Sequence, residues 1–398
     1  MTKKQVSFID GVRTPFGRAG HKGSYWQTRA DDLAVKALQG LLARNPELPL
    51  AEIDDVGIAA TTQEQDQGLT LGRTVGMLAG LPETVPGFAL DRMCAGAMTT
   101  TSLLASVIAA GHADLTIAGG VEHMGKHPMR FASHANPRFF AENKLSEAAL
   151  NMGNTAEKLH DRFPHLTKER ADQYALNSQL KAEAAYQNGY IQADLVPVAV
   201  TDEGGWRLVS EDEGRRPSTT LEGLSGLKTP FRVNGKVTAG NSSPLTDGAT
   251  VALLASSEKA AELGFASKMN LVTYAFAGVD PEVMGLGPVP AAEKALRRAG
   301  LDISDIGLFE LNEAFAVQVL SFTDHFDIAD DDPRVNPWGG AIALGHPLAA
   351  SGVRLLIQLA KQFEQRPDVR YGMAAMCVGL GQGGAMIWEN PHYNGKKG

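Results

Sequence analysis

Three side chains able to attack carbon or move a proton stand out in this chain: Cys94, His346 and Cys377. The sequence holds only 2 cysteines, and both sit in settings that favour chemistry over packing. Cys94 lies in Asp-Arg-Met-Cys-Ala-Gly-Ala, where an apolar strand-like run gives way to a helix-like one. Cys377 opens Cys-Val-Gly-Leu-Gly-Gln-Gly-Gly, whose alternate glycines bring backbone close to a bound group. His346, in Gly-His-Pro, also introduces a helix. Two separated thiols and one imidazole point to nucleophilic catalysis with two proton-transfer partners.

Thiolate is the reactive form, and a helix N-terminus favours that anion through its unpaired N–H groups. Lowering the Cys94 pKa by about 1.5 units needs about 2 kcal/mol of differential stabilisation. On position alone a buried structural cysteine is the better account. Ala95, Gly96 and Ala97 count for function, because small neighbours leave room for an acyl group. His346 alone reads as an ordinary cap, but Gly339, Gly340 and Gly345 let the backbone bend around a ligand. Gly379 to Gly384 also satisfies the dinucleotide pattern G-x-G-x-x-G, but no helix pattern follows and that match is false; the bland alternative for the Cys377 run is a tight hairpin. Glu122 to His127 places two histidines four apart in an order unlike a zinc helix, and no metal is expected.

These residues need elements to carry them. Ile53-Asp54-Asp55-Val56-Gly57-Ile58 is echoed by Ile303-Ser304-Asp305-Ile306-Gly307-Leu308. The helix after Cys94 answers the one after His346, and Leu115-Thr-Ile-Ala answers Met373-Ala-Ala-Met. Duplication of a strand–helix–strand unit, in an α/β fold with helices covering a mixed sheet, accounts for the echo. Residues 122–247 interrupt the first half with more charge and more loop. They contain a helix from Lys168 to Asn188, with Thr167 as N-cap and Gly189 as stop. Gly248 to Ala255 then returns to a buried strand.

Composition sets bounds on the function. At 398 residues two or three domains are expected, and 43% hydrophobic content supports a real core. Two cysteines make no disulfide scaffold, and neither the charged start Met-Thr-Lys-Lys-Gln nor the C-terminal Asn-Gly-Lys-Lys-Gly reads as an address, so a cytoplasmic location is expected. The uncharged run Met93 to Gly111 is too polar for a membrane span and reads as a core helix. A formal charge of −8 argues against nucleic-acid binding. Arg215, Arg216, Lys228, Arg232 and Lys236 still gather in one loop-rich stretch.

Read together, these strings resemble the thiolase family. Arg13-Thr14-Pro15-Phe16-Gly17-Arg18, Gly119 to Met124, Asn241 to Ala249, Met284 to Pro288 and Asn312-Glu313-Ala314-Phe315 follow in family order. Gly339 to Pro347 and the Cys377 glycine run complete the set. The Glu-His-Met-Gly form and Arg92 to Met98 look most like degradative 3-ketoacyl-CoA thiolases, above all thiolase subunits of bacterial β-oxidation complexes.

The resemblance implies a duplicated α-β-α-β-α layered fold. Residues 1–269 would form the N-terminal domain, with an inserted coenzyme A-binding loop domain at about 122–247, and residues 270–398 the C-terminal domain. It implies that Cys94 attacks the 3-keto carbon, Cys377 protonates the departing acetyl-CoA enolate and His346 activates Cys94 and then coenzyme A. Asn312 would orient a water that with His346 steadies the enolate thioester oxygen, and the N–H groups of Cys94 and Gly379 would form a second oxyanion site. Coenzyme A is then a substrate, and no resident cofactor or metal is implied. Arg215, Arg216 and Lys228 would face its phosphates, with Ser243 beside the pantetheine arm and Met152 and Phe315 among the binding residues. A homodimer or homotetramer is implied, alone or with a hydratase/dehydrogenase subunit. Three positions depart from the family. Ala349 stands for glycine, which would narrow the pocket by a methyl; Gly96 stands for serine; Asn151 stands for a histidine that touches coenzyme A. The competing functions are a condensing acetoacetyl-CoA thiolase and a non-catalytic acyl-CoA-binding subunit.

Overall fold

The computed structural model describes residues 3–130 and 135–395; Met1, Thr2 and the last three residues of the C-terminal string lie outside the described residues. In the N-terminal half the strands are β1 (Val6–Arg13), β2 (Gly17–Arg18), β3 (Asp55–Ala59), β4 (Gly87–Leu90), β5 (Leu115–His123) and, after the hairpin β6 (Val198–Asp202) and β7 (Gly205–Val209), β8 (Thr246–Ser256). Then follow β9 (Met269–Gly278), β10 (Ile306–Leu311), β11 (Tyr371–Val378) and β12 (Gln382–Glu389). The main helices are α1 (Ala30–Arg44), α2 (Leu71–Ala79), α3 (Gly96–Ala109), α4 (Met152–Arg162), α5 (Lys168–Gln187), α6 (Pro288–Ala299), α7 (Ala316–His325) and α8 (Ser351–Gln365).

The strand order β10-β11-β12-β9-β1-β8-β5-β3-β4 reads nearly the same from either end once equivalent strands are matched, and β2 pairs with β8. The echoed strings fall on β3 and β10 and on β5 and β11, and β3–β5 and β10–β11 are both parallel pairs. The halves join through the antiparallel contact of β1 with β9, Ser7 opposite Asn270. Helices α3 and α8 pack together between the two halves, while α1 and α6 cover the outer faces. The layered α/β fold is the expected one.

Sequence explains these elements locally. Helix α3 is buried on nearly every side, so its polar residues need partners. The hydroxyls of Thr99 and Thr101 donate to the carbonyls of Ala95 and Ala97, each at 2.8 Å, and Thr100 donates to Gly119 at 3.0 Å. Gly352 lets α8 approach this helix, since a Cβ there would lie 2.4 Å from the Met98 nitrogen. Among the described residues no helix is long and apolar enough to cross a membrane.

Residues 124–245 connect β5 to β8, where only residues 379–381 connect β11 to β12. Within that excursion α5 starts and stops as its sequence dictates. The Thr167 side chain accepts from the Arg170 N–H, and Gly189 closes the end at φ +74°. The glycine run after Cys377 is the tight β11–β12 connection, with Leu380 and Gly381 at φ +62° and +73°.

Candidate active site

Cys94 sits in a short 3-10 turn between β4 and α3. Met93 before it has φ +44°, and its N–H donates to Asp91 Oδ1 at 2.5 Å, so the turn is fixed on the N-terminal side of the thiol. His346 follows Gly345 at φ +107°, and its N–H donates to Thr246 Oγ1 at 3.1 Å. Cys377 lies on β11 opposite Gly383 of β12. Elements far apart in sequence thus deliver all three to one cavity of about 1210 Å³.

The three groups share that wall but not an environment. Cys94 is 7% exposed and Cys377 0%. Burial pushes the Cys94 thiol up to about 12, against the pull of the N–H groups of Gly379 and of Cys94 itself. The sequence argument pointed the other way. Desolvation outweighs the backbone N–H groups here, because the thiol is buried. Burial, and then the nearness of Cys94, raises the Cys377 thiol well above its ordinary range. Burial, and then the Arg354 charge, lowers His346 to about 3. The resting site therefore holds two neutral thiols and a neutral imidazole, and the nucleophile needs a base.

Asn312 is fully buried behind His346, its Nδ2 3.3 Å from Nε2 and 3.5 Å from Nδ1. Arg354 Nη2 donates to Asn312 Oδ1 at 3.2 Å, which sets the amide so that its NH2 meets the ring. Next to it Glu313 accepts from Tyr174 and Ser178 of α5, from Asn336 and from the Ile342 N–H. That carboxylate ties the Asn312 string to the excursion. Glu122 does similar work on the other side, accepting from the Thr61, Gln67 and Ala349 donors, so β5 holds the loop that carries His346.

Of the proposed coenzyme A contacts, Ser243, Met152, Phe315, Arg215 and Arg216 line the cavity. Ser243 is held by the Ala314 carbonyl, which accepts from its N–H at 3.0 Å. The basic cluster divides into differently placed members. Arg215 pairs with Glu183 at 2.9 Å and with Glu211, and its guanidinium stacks on Tyr186, so its charge is already spent. Lys228 is exposed and lies outside the cavity wall. Arg216 lines the wall with no ion-pair partner among the described residues. So does Arg18, which sequence reasoning placed only in a family string; its signal was a second arginine beside a glycine-rich turn.

The departures at positions 96 and 349 answer each other. A Cβ at Gly96 would lie 2.9 Å from Ala349 Cβ and 2.7 Å from Ala59 Cβ. Ala349 is fully buried against Gly96 and does not line the cavity, so its methyl fills the space a serine would need and leaves the pocket unnarrowed. Asn151 lines the cavity and caps α4, accepting from the Gly153 N–H at 3.1 Å. The paired histidines do not converge on a cation: His123 Nε2 meets the Tyr25 carbonyl and His127 meets Asp66.

Residues 6–258 match the family model described as "Thiolase, N-terminal domain", and residues 265–390 match "Thiolase, C-terminal domain". The chain belongs to the thiolase family. It is accordingly an acyltransferase. The thiolase chain is 42% identical to a "3-ketoacyl-CoA thiolase" of Photobacterium profundum, over 96% of this chain and 99% of that one. It is 40% identical to a "3-oxoadipyl-CoA/3-oxo-5,6-dehydrosuberyl-CoA thiolase" of Escherichia coli, over 97% and 99%. Among solved thiolases, human mitochondrial 3-ketoacyl-CoA thiolase superposes with a TM-score of 0.88 at 32% identity, covering 98% of this chain and all of that one.

Proposed function

We propose that this thiolase cleaves 3-ketoacyl-CoA with coenzyme A, giving acetyl-CoA and a shortened acyl-CoA, in fatty-acid β-oxidation. The observation that carries the reading is the shared cavity of Cys94, His346 and Cys377, with the Gly379 N–H directed at the Cys94 sulfur. His346 Nε2 takes the Cys94 proton, and the sulfur bonds to C3. The C2–C3 bond breaks, its electron pair moves to the acetyl-CoA enolate, and Cys377 protonates C2. Imidazolium returns a proton to the Cys377 thiolate. Coenzyme A then gives its thiol proton to His346, attacks the Cys94 thioester and leaves Cys94 to be reprotonated. A backbone N–H placed at an oxyanion is typically worth about 3 kcal/mol of barrier, a role suited to Gly379 and Cys94. Asn312, steadied by Arg354, serves the enolate side. Arg216 with Arg18, rather than Lys228, offers positive charge to the anionic end of the substrate. Coenzyme A is consumed as a substrate, with no resident cofactor in this reading.

A second copy of the chain suits the exposed Leu69, Met77 and Leu78 near α2, beside the sheet edge at β4. Arg18 favours a second reading of substrate, an acyl chain ending in a carboxylate, in line with the relative named for 3-oxoadipyl-CoA. Thiolysis of 3-ketohexadecanoyl-CoA, acetoacetyl-CoA and 3-oxoadipyl-CoA in parallel tests both. The first reading expects the long chain to be cleaved and an acyl mass on the Cys94 peptide when coenzyme A is withheld. Cleavage of 3-oxoadipyl-CoA alone, lost in Arg18→Ala, supports the second. No turnover of any, or the acyl mass on Cys377, refutes the mechanism.

A further inference from the structure

His346 is asked to accept a proton from Cys94 and then from coenzyme A, which requires a bare lone pair on the correct ring nitrogen. A neutral imidazole carries one proton, and free histidine in water favours placing it on Nε2. Something must hold it elsewhere. Ser351, the first residue of α8, is fully buried, and its Oγ lies 2.6 Å from His346 Nδ1. The same Oγ lies 3.0 Å from the Pro347 carbonyl four residues back.

A hydroxyl has one hydrogen to donate, and a carbonyl oxygen can only accept. For both contacts to be hydrogen bonds, Ser351 must donate to Pro347 and Nδ1–H must donate to Ser351. One arrangement of hydrogens satisfies all three groups, and it strips Nε2. Asn312 is compatible with this arrangement. Its Oδ1 is occupied by Arg354, so its NH2 faces the ring, closer to Nε2 at 3.3 Å than to Nδ1 at 3.5 Å. Its near-equal distances place it against the ring rather than in line with the Nε2 lone pair. Arg354 is the charged group that acts on the ring, and it disfavours imidazolium without choosing between tautomers.

We propose that Ser351 is a positioning residue that fixes His346 as the Nδ1–H tautomer, relaying to the Pro347 carbonyl and leaving Nε2 as the proton acceptor. The inference rests on His346 being the base, yet the tautomer can be read without turnover.

The test uses the full chain labelled with ¹⁵N-histidine, with His346 assigned by its loss in His346→Gln. The parent should show a protonated Nδ1 and a bare Nε2. In Ser351→Ala the buried Nδ1 loses its acceptor, and the proton should move to Nε2 in a large fraction of molecules. In the Ser-His-Asp triad a wrong tautomer costs about 10⁴ in kcat. Here a fall of at least about 100-fold in acyl transfer is expected, in line with general-base contributions, with KM for coenzyme A within about threefold of parent because Ser351 does not line the cavity. Ser351→Thr, which keeps the hydroxyl, should restore both Nδ1–H and most of the rate. A parent spectrum with the proton on Nε2 overturns the proposal whatever the kinetics. So does a Ser351→Ala protein that is slow but keeps the parent tautomer, or one that changes tautomer and turns over normally. If the parent tautomer is as stated but His346→Gln turns over normally, the proposed function fails instead.

Discussion

Replacing Gly96 by serine should strain the turn that holds Cys94. The new Cβ would lie 2.7 Å from Ala59 Cβ and 2.9 Å from Ala349 Cβ, far inside the about 3.5–4.0 Å at which carbon atoms attract. Both neighbours are buried methyl groups fixed to backbone and cannot rotate away. The 3-10 turn must shift, and overpacking of this kind costs about 1–3 kcal/mol. At about 2.1 cal/mol/K of unfolding entropy per residue, a loss of about 2 kcal/mol lowers the melting temperature by about 2–3 °C in a chain of this length. Activity should suffer more, because moving a nucleophile by about 1 Å can cost about 100-fold. Ala349→Gly removes one clash and leaves Ala59 in place. The double variant should therefore recover about half of the lost melting temperature, with a favourable coupling of about 1 kcal/mol. Scanning calorimetry and initial thiolysis rates on parent, singles and double measure both effects. A Gly96→Ser protein that melts and turns over like the parent would refute the reasoning, as would a double variant equal to the sum of the singles.

Three further outcomes follow from the site. Iodoacetamide should modify Cys94 before the fully buried Cys377, with activity lost in step, and the Cys94 rate should keep rising with pH through about 9 because its thiol sits far above neutrality; a plateau below pH 8 would show a thiolate already formed. Charge reversal at Arg216 should raise KM for coenzyme A at least about tenfold while Lys228→Glu raises it less than about threefold, and equal effects would return Lys228 to the binding site. Asp247 is buried, and its carboxyl is raised to about 7 by desolvation. A carboxyl whose folded pKa exceeds its unfolded value of about 3.9 gives stability that falls as pH rises from about 4 to about 7. Asp247→Asn should flatten that slope in melting temperature, and an unchanged slope would assign it to other groups.

The chain declares its chemistry through short strings. Cys94, His346 and Cys377 are legible because each sits among glycines and small residues in strings of family order, and those signals span a few positions. Helix α5 is legible because its cap and its stop are written within its own segment. The duplication is legible because both halves repeat the same strand–helix–strand order. What depends on distant partners is not. Arg215 and Arg216 are adjacent and both line the cavity, yet Arg215 is neutralised by Glu183 and Glu211 while Arg216 has no ion-pair partner among the described residues, a difference made by acidic side chains distant or unmarked in the sequence. The helix end near Cys94 suggested a low pKa, but the energy of removing a thiolate from water depends on everything packed around it. Gly96 and Ala349 look like unrelated departures until folding sets one methyl against the other's missing side chain. Ser351 and Arg354 are unremarkable as letters. Ser351 reaches His346 across one turn of chain, whereas Arg354 reaches Asn312 only because α8 packs beside β10 within the C-terminal half.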